Sequence, residues 1–173
     1  MDLQYPVGRF AWPDAVSPDD RRSYIDEIEQ TPKNMRAAVT GLSEQQLDTP
    51  YRPGGWTMRQ VVHHLPDSHL NSYLRFRLAL TEDEPTIKPY DEARWAELVD
   101  ARTAPVELSL TLLDSLHKRW VLLLRSLSGA DCSRKFRHPE LGEVTLEKNL
   151  ALYAWHGRHH VAHITSLRQR MGW

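Results

Sequence analysis

The sequence predicts an all-α fold, a four-helix bundle, and three observations carry that prediction. Four long stretches keep apolar side chains at the spacing of amphipathic helices. Three of the four open on a serine or threonine placed to cap the first turn. The 173 residues contain no repeat, no low-complexity segment and no linker that would divide them. One domain over 1–173 is therefore expected, long enough to bury roughly 70% of its unfolded surface.

The elements follow in order. Residues 1–16, with Pro6, Gly8 and Pro13, are expected to form an extended arm. Ser17-Pro18-Asp19-Asp20 then supplies an N-cap, a proline in the first turn and early carboxylates. Ile25, Ile28, Met35, Val39 and Leu42 continue at helical spacing, with a kink or break expected at Pro32. Ser43-Glu44-Gln45-Gln46 is a capping-box pattern for a short helical turn, which Asp48-Thr49-Pro50 ends. Residues 51–55 form a loop before a second box, Thr57-Met58-Arg59-Gln60. The second long helix runs from there to about residue 80, through Val62, Leu65, His69, Tyr73 and Phe76. Pro66 falls inside it, deprives the Val62 carbonyl of its usual partner and should bend the helix.

A long connection, residues 81–104, holds Pro85 and Pro89, with a short helix expected at 92–99. The third helix covers about 105–127, through Leu110, Leu113, Leu116, Trp120, Leu123 and Leu127. Residues 129–144 suit a small hairpin that turns at Pro139-Glu140-Leu141-Gly142. Thr145 caps the fourth helix, which reaches about residue 170. Four such helices with a long second-to-third connection define the bundle.

Composition excludes several function classes. Hydrophobic residues make up 40%, charged residues 26%, and the net charge is -1. That balance carries neither a nucleic-acid footprint nor an acidic tail. The six tryptophans have no basic stripe beside them, so they are expected as core and loop anchors, not a base-stacking platform. The single Cys132 excludes an intramolecular disulfide and fits a reducing compartment. The longest apolar run, residues 120–124, is far short of the ~20 residues needed to span a bilayer. Met1-Asp2-Leu3-Gln4 lacks the basic start of a secretion signal. A cytoplasmic protein without a membrane segment is expected.

Chemistry concentrates in histidine. Four of nine histidines lie in Trp155-His156-Gly157-Arg158-His159-His160-Val161-Ala162-His163. Leu150, Tyr153, Ile164, Leu167 and Met171 define the inward face of that helix, and His156 and His160 fall on it one turn apart. His163 lies near its edge, and His159 is expected to point outward. A lone histidine on an apolar stripe is most often a hydrogen-bonded core residue. Two stacked ones each carry a desolvation cost of roughly 1–3 kcal/mol unless partnered, and together they suit a metal ion. Zinc proteases share the spacing, but Gly157 stands where their glutamate base would be.

A second cluster, His63-His64-Leu65-Pro66-Asp67-Ser68-His69, lies upstream. The apolar stripe there passes through His69, so periodicity selects His69 as a third ligand. His63 and His64 point about 100° apart, so at most one of them ligates. Asp67 and Ser68 are candidates to orient ligand rings or bind metal-bound water. His117 and Arg119 are expected on solvated surface, and His138 in a loop.

Leu47-Asp48-Thr49-Pro50-Tyr51-Arg52, Gly54-Gly55-Trp56-Thr57 and Arg59-Gln60-Val61-Val62-His63-His64-Leu65 resemble the DinB/YfiT-like superfamily. The similarity continues through Asp67-Ser68-His69, Asn71-Ser72-Tyr73 and Lys88-Pro89-Tyr90-Asp91-Glu92 to Ala162-His163-Ile164 and Arg170-Met171-Gly172-Trp173. Pro66 departs from the pattern, where the family tends to have a helix former. The branch it most resembles is described as metal-dependent hydrolases and as bacillithiol S-transferases. The resemblance implies a four-helix bundle, a homodimer, and one divalent metal per subunit held by His64, His156 and His160. It thus replaces His69 with His64 and leaves Asp67, Ser68 and His69 as supporting residues.

An open three-histidine site suits zinc first, with nickel as an alternative. Such a site can hold a low-molecular-weight thiol as thiolate for transfer to a small electrophile, which is the leading expectation. A hydrolase using metal-activated water is the alternative. A non-catalytic, metal-stabilised bundle is the third reading. The acid-base residues remain unassigned in all three.

Overall fold

The computed structural model describes residues 2–173. Capping chemistry sets the starts of three of the four long helices. In α1 (Pro18–Val39), the Ser17 hydroxyl accepts from the Asp20 amide while the Asp20 carboxylate accepts from the Ser17 amide. The same reciprocal box opens α2 (Glu44–Leu47) from Ser43 and α3 (Met58–Thr81) from Thr57. The connection after α3 carries α4 (Glu92–Trp95) and α5 (Val99–Thr103), two separate turns where one short helix was expected at 92–99. α6 (Val106–Ser126) starts after Pro105 without a side-chain cap. α7 (Gly129–Cys132) precedes an antiparallel hairpin of β1 (Lys135–His138) and β2 (Gly142–Thr145), with Phe136 opposite Val144. α8 (Leu146–Met171) closes the chain and stops at Gly172, whose φ of 71° is the left-handed helix cap.

Both internal prolines are absorbed. α1 runs unbroken through Pro32 and α3 through Pro66, and both prolines are buried. The break expected at Pro32 does not occur, because tertiary packing on both sides of that turn outweighs the loss of one backbone bond.

Ion pairs and hydrogen bonds fix the helix directions. Arg36, late in α1, grips Glu107 at the start of α6 at 2.6 and 2.7 Å, and Arg125, late in α6, meets Asp26 and Glu29. Those two helices are antiparallel. α1 and α8 are parallel: Arg21 faces Glu147 near their starts, and Arg168 donates to the Ala38 carbonyl near their ends. α3 runs antiparallel to α8, with Asn149 on Ser72, and parallel to α6, with His63 on Ser109. The main contacts close a ring, α1–α8–α3–α6, so consecutive α1 and α3 lie on a diagonal. Since α3 and α6 are parallel, residues 82–105 must travel the length of the bundle. Ile87 bonds the Arg137 carbonyl at one end, and the Gln60 side chain holds the Ala96 carbonyl at the other.

The apolar core divides in two. One cluster surrounds Trp120, Phe76, Phe136 and Ile28, and the other surrounds Met35, Met58, Leu65, Leu113 and Ile164. A layer of buried histidines lies between them. Helices α1 and α8 approach closely at Gly157, where a Cβ would sit 2.5 Å from Thr31 Oγ1 and 2.9 Å from its Cγ2. Gly157→Ala is expected to destabilise the fold by about 1–3 kcal/mol through overpacking, despite alanine's better helix propensity. Urea denaturation would show it, and a variant as stable as wild type would contradict the close approach.

Candidate metal centre

Antiparallel packing of α3 on α8 brings His64 to the two histidines one turn apart on α8. The Nε2 atoms of His64 and His160 lie 3.3 and 3.2 Å from Nε2 of His156. One nitrogen from each residue falls within 4.8 Å of the others. Burial chiefly, then the neighbouring imidazoles, pushes His64 down to about 3 and holds His156 and His160 well below the ordinary histidine range. Three neutral imidazoles therefore aim ring nitrogens at one point. Among the described residues no carboxylate joins them. Crowded nitrogen lone pairs repel one another unless a proton or a cation lies between them, so this donor set fits a divalent metal.

The cluster forms part of the wall of a cleft of about 790 Å³. Trp56 packs on His64 at 4.8 Å between ring centroids, and Tyr5, Tyr51, Tyr90, Tyr153 and Trp155 line the same space. Arg52 and Arg75 also line it, and neither forms an ion pair among the described residues.

The residues singled out from sequence fall in different places. His69, the choice of periodicity, is fully buried behind the converging rings, with its Nε2 3.1 Å from Nδ1 of His156. It touches the cluster from outside. His63 turns away from α8 and bonds Ser109 and the Ala104 carbonyl. Ser68 lines the cleft, its hydroxyl 3.4 Å from that of Tyr153. Among the described residues, Asp67 is not one of those whose donor atoms converge with the three rings. It faces Asp100, and burial followed by that like charge pushes its carboxyl up to about 6.

Three expectations are corrected. His159 is buried, because the N-terminal arm covers that side of α8: Tyr5 packs against its ring, and Trp155 stacks on it at 4.4 Å. The Gln4 carbonyl accepts from His163, and the Gly8 carbonyl accepts from Trp155. His117 is 2% exposed rather than on the surface. Its spacing from Leu113 and Trp120 places it on the α6 apolar stripe, a signal that was available in the sequence. His138 ends β1 and lines the cleft, while Arg119 is exposed as expected. His159, His160 and His163 also form a compact triplet. It shares His160 with the first cluster, so two cations there would sit side by side and repel strongly in a poorly solvated interior.

A bundle whose interior holds converging imidazoles beside an open cleft defines a class, the helical bundles that build a histidine centre between their helices. The chain belongs to the DinB superfamily, whose family model matches residues 27–164. It is 57% identical over 172 residues, 99% of each chain, to proteins of Bacillus mycoides and Bacillus cereus, each named a putative metal-dependent hydrolase. YfiT from Bacillus subtilis, described as a probable metal-dependent hydrolase with an unusual four-helix bundle topology, is 50% identical. It superposes with a TM-score of 0.97 over 100% of this chain and 99% of its own. TT2238, a four-helix bundle protein, shares the fold at a TM-score of 0.56 and 21% identity, covering 82% of this chain and 94% of its own.

Proposed function

We propose that the protein is a metal-dependent thiol S-transferase, with His64, His156 and His160 holding one divalent ion, zinc in the first place. The observation that carries this reading is the convergence of three neutral imidazoles beside an open cleft without a carboxylate among them. A divalent metal bound there would favour the thiolate form of a thiol at neutral pH. The chain's own residues supply the rest. Arg52 and Arg75, which form no ion pair among the described residues, suit the acidic groups of a low-molecular-weight thiol such as bacillithiol. Trp56 and Tyr90 offer aromatic faces to a flat electrophile. In the transfer the thiol proton leaves to solvent, the sulfur–carbon bond forms, and the carbon–halogen bond breaks with loss of halide.

The second reading, hydrolysis, is favoured by the names of the relatives. A hydrolase would be expected to place a general base on the attacking water, and among the described residues no carboxylate pairs with the three rings. An assay separates the readings. Zinc-loaded protein given a low-molecular-weight thiol and a chlorinated aromatic electrophile should form the thioether and release chloride. Absence of conjugate, or an equal yield from His160→Ala, would reject the transferase.

A further inference from the structure

The strongest unassigned feature is a chain of hydrogen bonds that starts on α1 and ends at the histidine cluster. Pro32 has no N–H, so the carbonyl four residues earlier, that of Ile28, has no helical partner. His117 Nδ1 occupies it from α6 at 2.6 Å. His117 Nε2 then meets His69 Nδ1 at 2.9 Å, and His69 Nε2 meets His156 Nδ1 at 3.1 Å. A carbonyl can only accept, and that fact fixes every later bond. His117 must donate from Nδ1, and as a neutral ring it has only a lone pair on Nε2. His69 must therefore donate from Nδ1, which leaves its Nε2 as an acceptor. His156 in turn donates from Nδ1. The remaining nitrogen of His156, Nε2, is left bare, and it is the atom that faces Nε2 of His64 and of His160.

We infer that Pro32, His117 and His69 form a positioning relay, anchored on the Ile28 carbonyl, that holds His156 as its Nδ1–H tautomer with Nε2 presented to the metal. Neutral histidine in water prefers the opposite tautomer, so an unanchored ring would have to rearrange before binding. The relay also places two residues that touch no candidate ligand position, Pro32 and His117, in control of the site. The inference deepens the proposed metal centre, but its first test needs no metal.

Long-range nitrogen–proton correlation spectra of metal-free, nitrogen-15-labelled protein, taken at about pH 8 where histidine is neutral, read each tautomer directly. His117, His69 and His156 should all appear as Nδ1–H. An Nε2–H signal from any of the three overturns the relay, whether or not metal binds. The second test is zinc affinity by chelator competition. His117→Asn keeps a donor for Ile28 but has no acceptor in reach of His69, and should weaken binding about 10–100-fold, the usual cost of losing an outer partner of a ligand. His117→Gln puts a carboxamide oxygen where Nε2 stood, which can only accept from His69, but gives up the bond to the Ile28 carbonyl, so it should bind zinc more tightly than His117→Asn without fully matching wild type. Equal weakening by both variants would reduce His117 to packing. Failure of wild type to bind zinc would instead reject the metal centre and leave the tautomer result standing.

Discussion

Replacing His156 by alanine is expected to weaken zinc binding by well over 100-fold, more than the 10–100-fold typical of outer partners. His156 is the hub of the cluster, since its Nε2 is the atom approached by both His64 and His160. Its loss removes one of three donors and leaves His69 Nε2 without the partner it now accepts from. Thioether formation should fall to background. The helical circular dichroism of the metal-free variant should persist, because the two apolar clusters on either side are untouched. Chelator competition and the conjugation assay check both halves. A variant that binds zinc like wild type would remove His156 from the site.

Acidification is expected to unfold the metal-free protein cooperatively, with a midpoint at about pH 5. Burial is the largest cause that lowers His64 to about 3 and His117 to about 4, against an ordinary value of 6.5. Below 6.5 the unfolded chain takes up protons that the folded chain refuses. Stability is thus full above 6.5 and lost as pH falls toward the folded values. Each fully titrating histidine removes about 1.4 kcal/mol per pH unit, so these two alone account for roughly 4 kcal/mol by pH 5, a large share of a typical 5–15 kcal/mol. His69, His156 and His160 shift in the same direction. Asp67 and Glu27 oppose them, because burial raises both carboxyls and the folded state gains from their protonation. Saturating zinc should move the midpoint to lower pH, since it binds only the folded state. Ellipticity followed from pH 8 to 4 is the measurement. An unchanged helix signal at pH 4 would mean that the histidines are not held neutral.

The helices were legible because their signals are local. Ser17, Thr57 and Thr145 mark N-caps by their spacing to the next donors, and the apolar periodicity carries each helix onward. Periodicity failed in the first half of α3, where α8 covers one side while α6 and the 82–105 connection cover others. A helix buried on several faces has no single stripe, so the pattern pointed to His69 and passed over His64. Resemblance to a family supplied that residue. His159 was misread for a related reason: the covering residues, Gln4 to Phe10, lie about 150 positions away and carry no helical periodicity.

By itself, then, the sequence determined the four helices, their caps, the hairpin before the last helix, and the one-turn pairing of His156 with His160. Tertiary structure alone decided what those histidines face. Helix direction put α3 antiparallel to α8, so that His64 rather than His63 meets the pair. It put α6 beside α1, so that the carbonyl released by Pro32 meets His117. The reason is physical: capping and periodicity act within a few residues of chain, whereas a ring nitrogen's role depends on the one atom it points at, which here belongs to another helix.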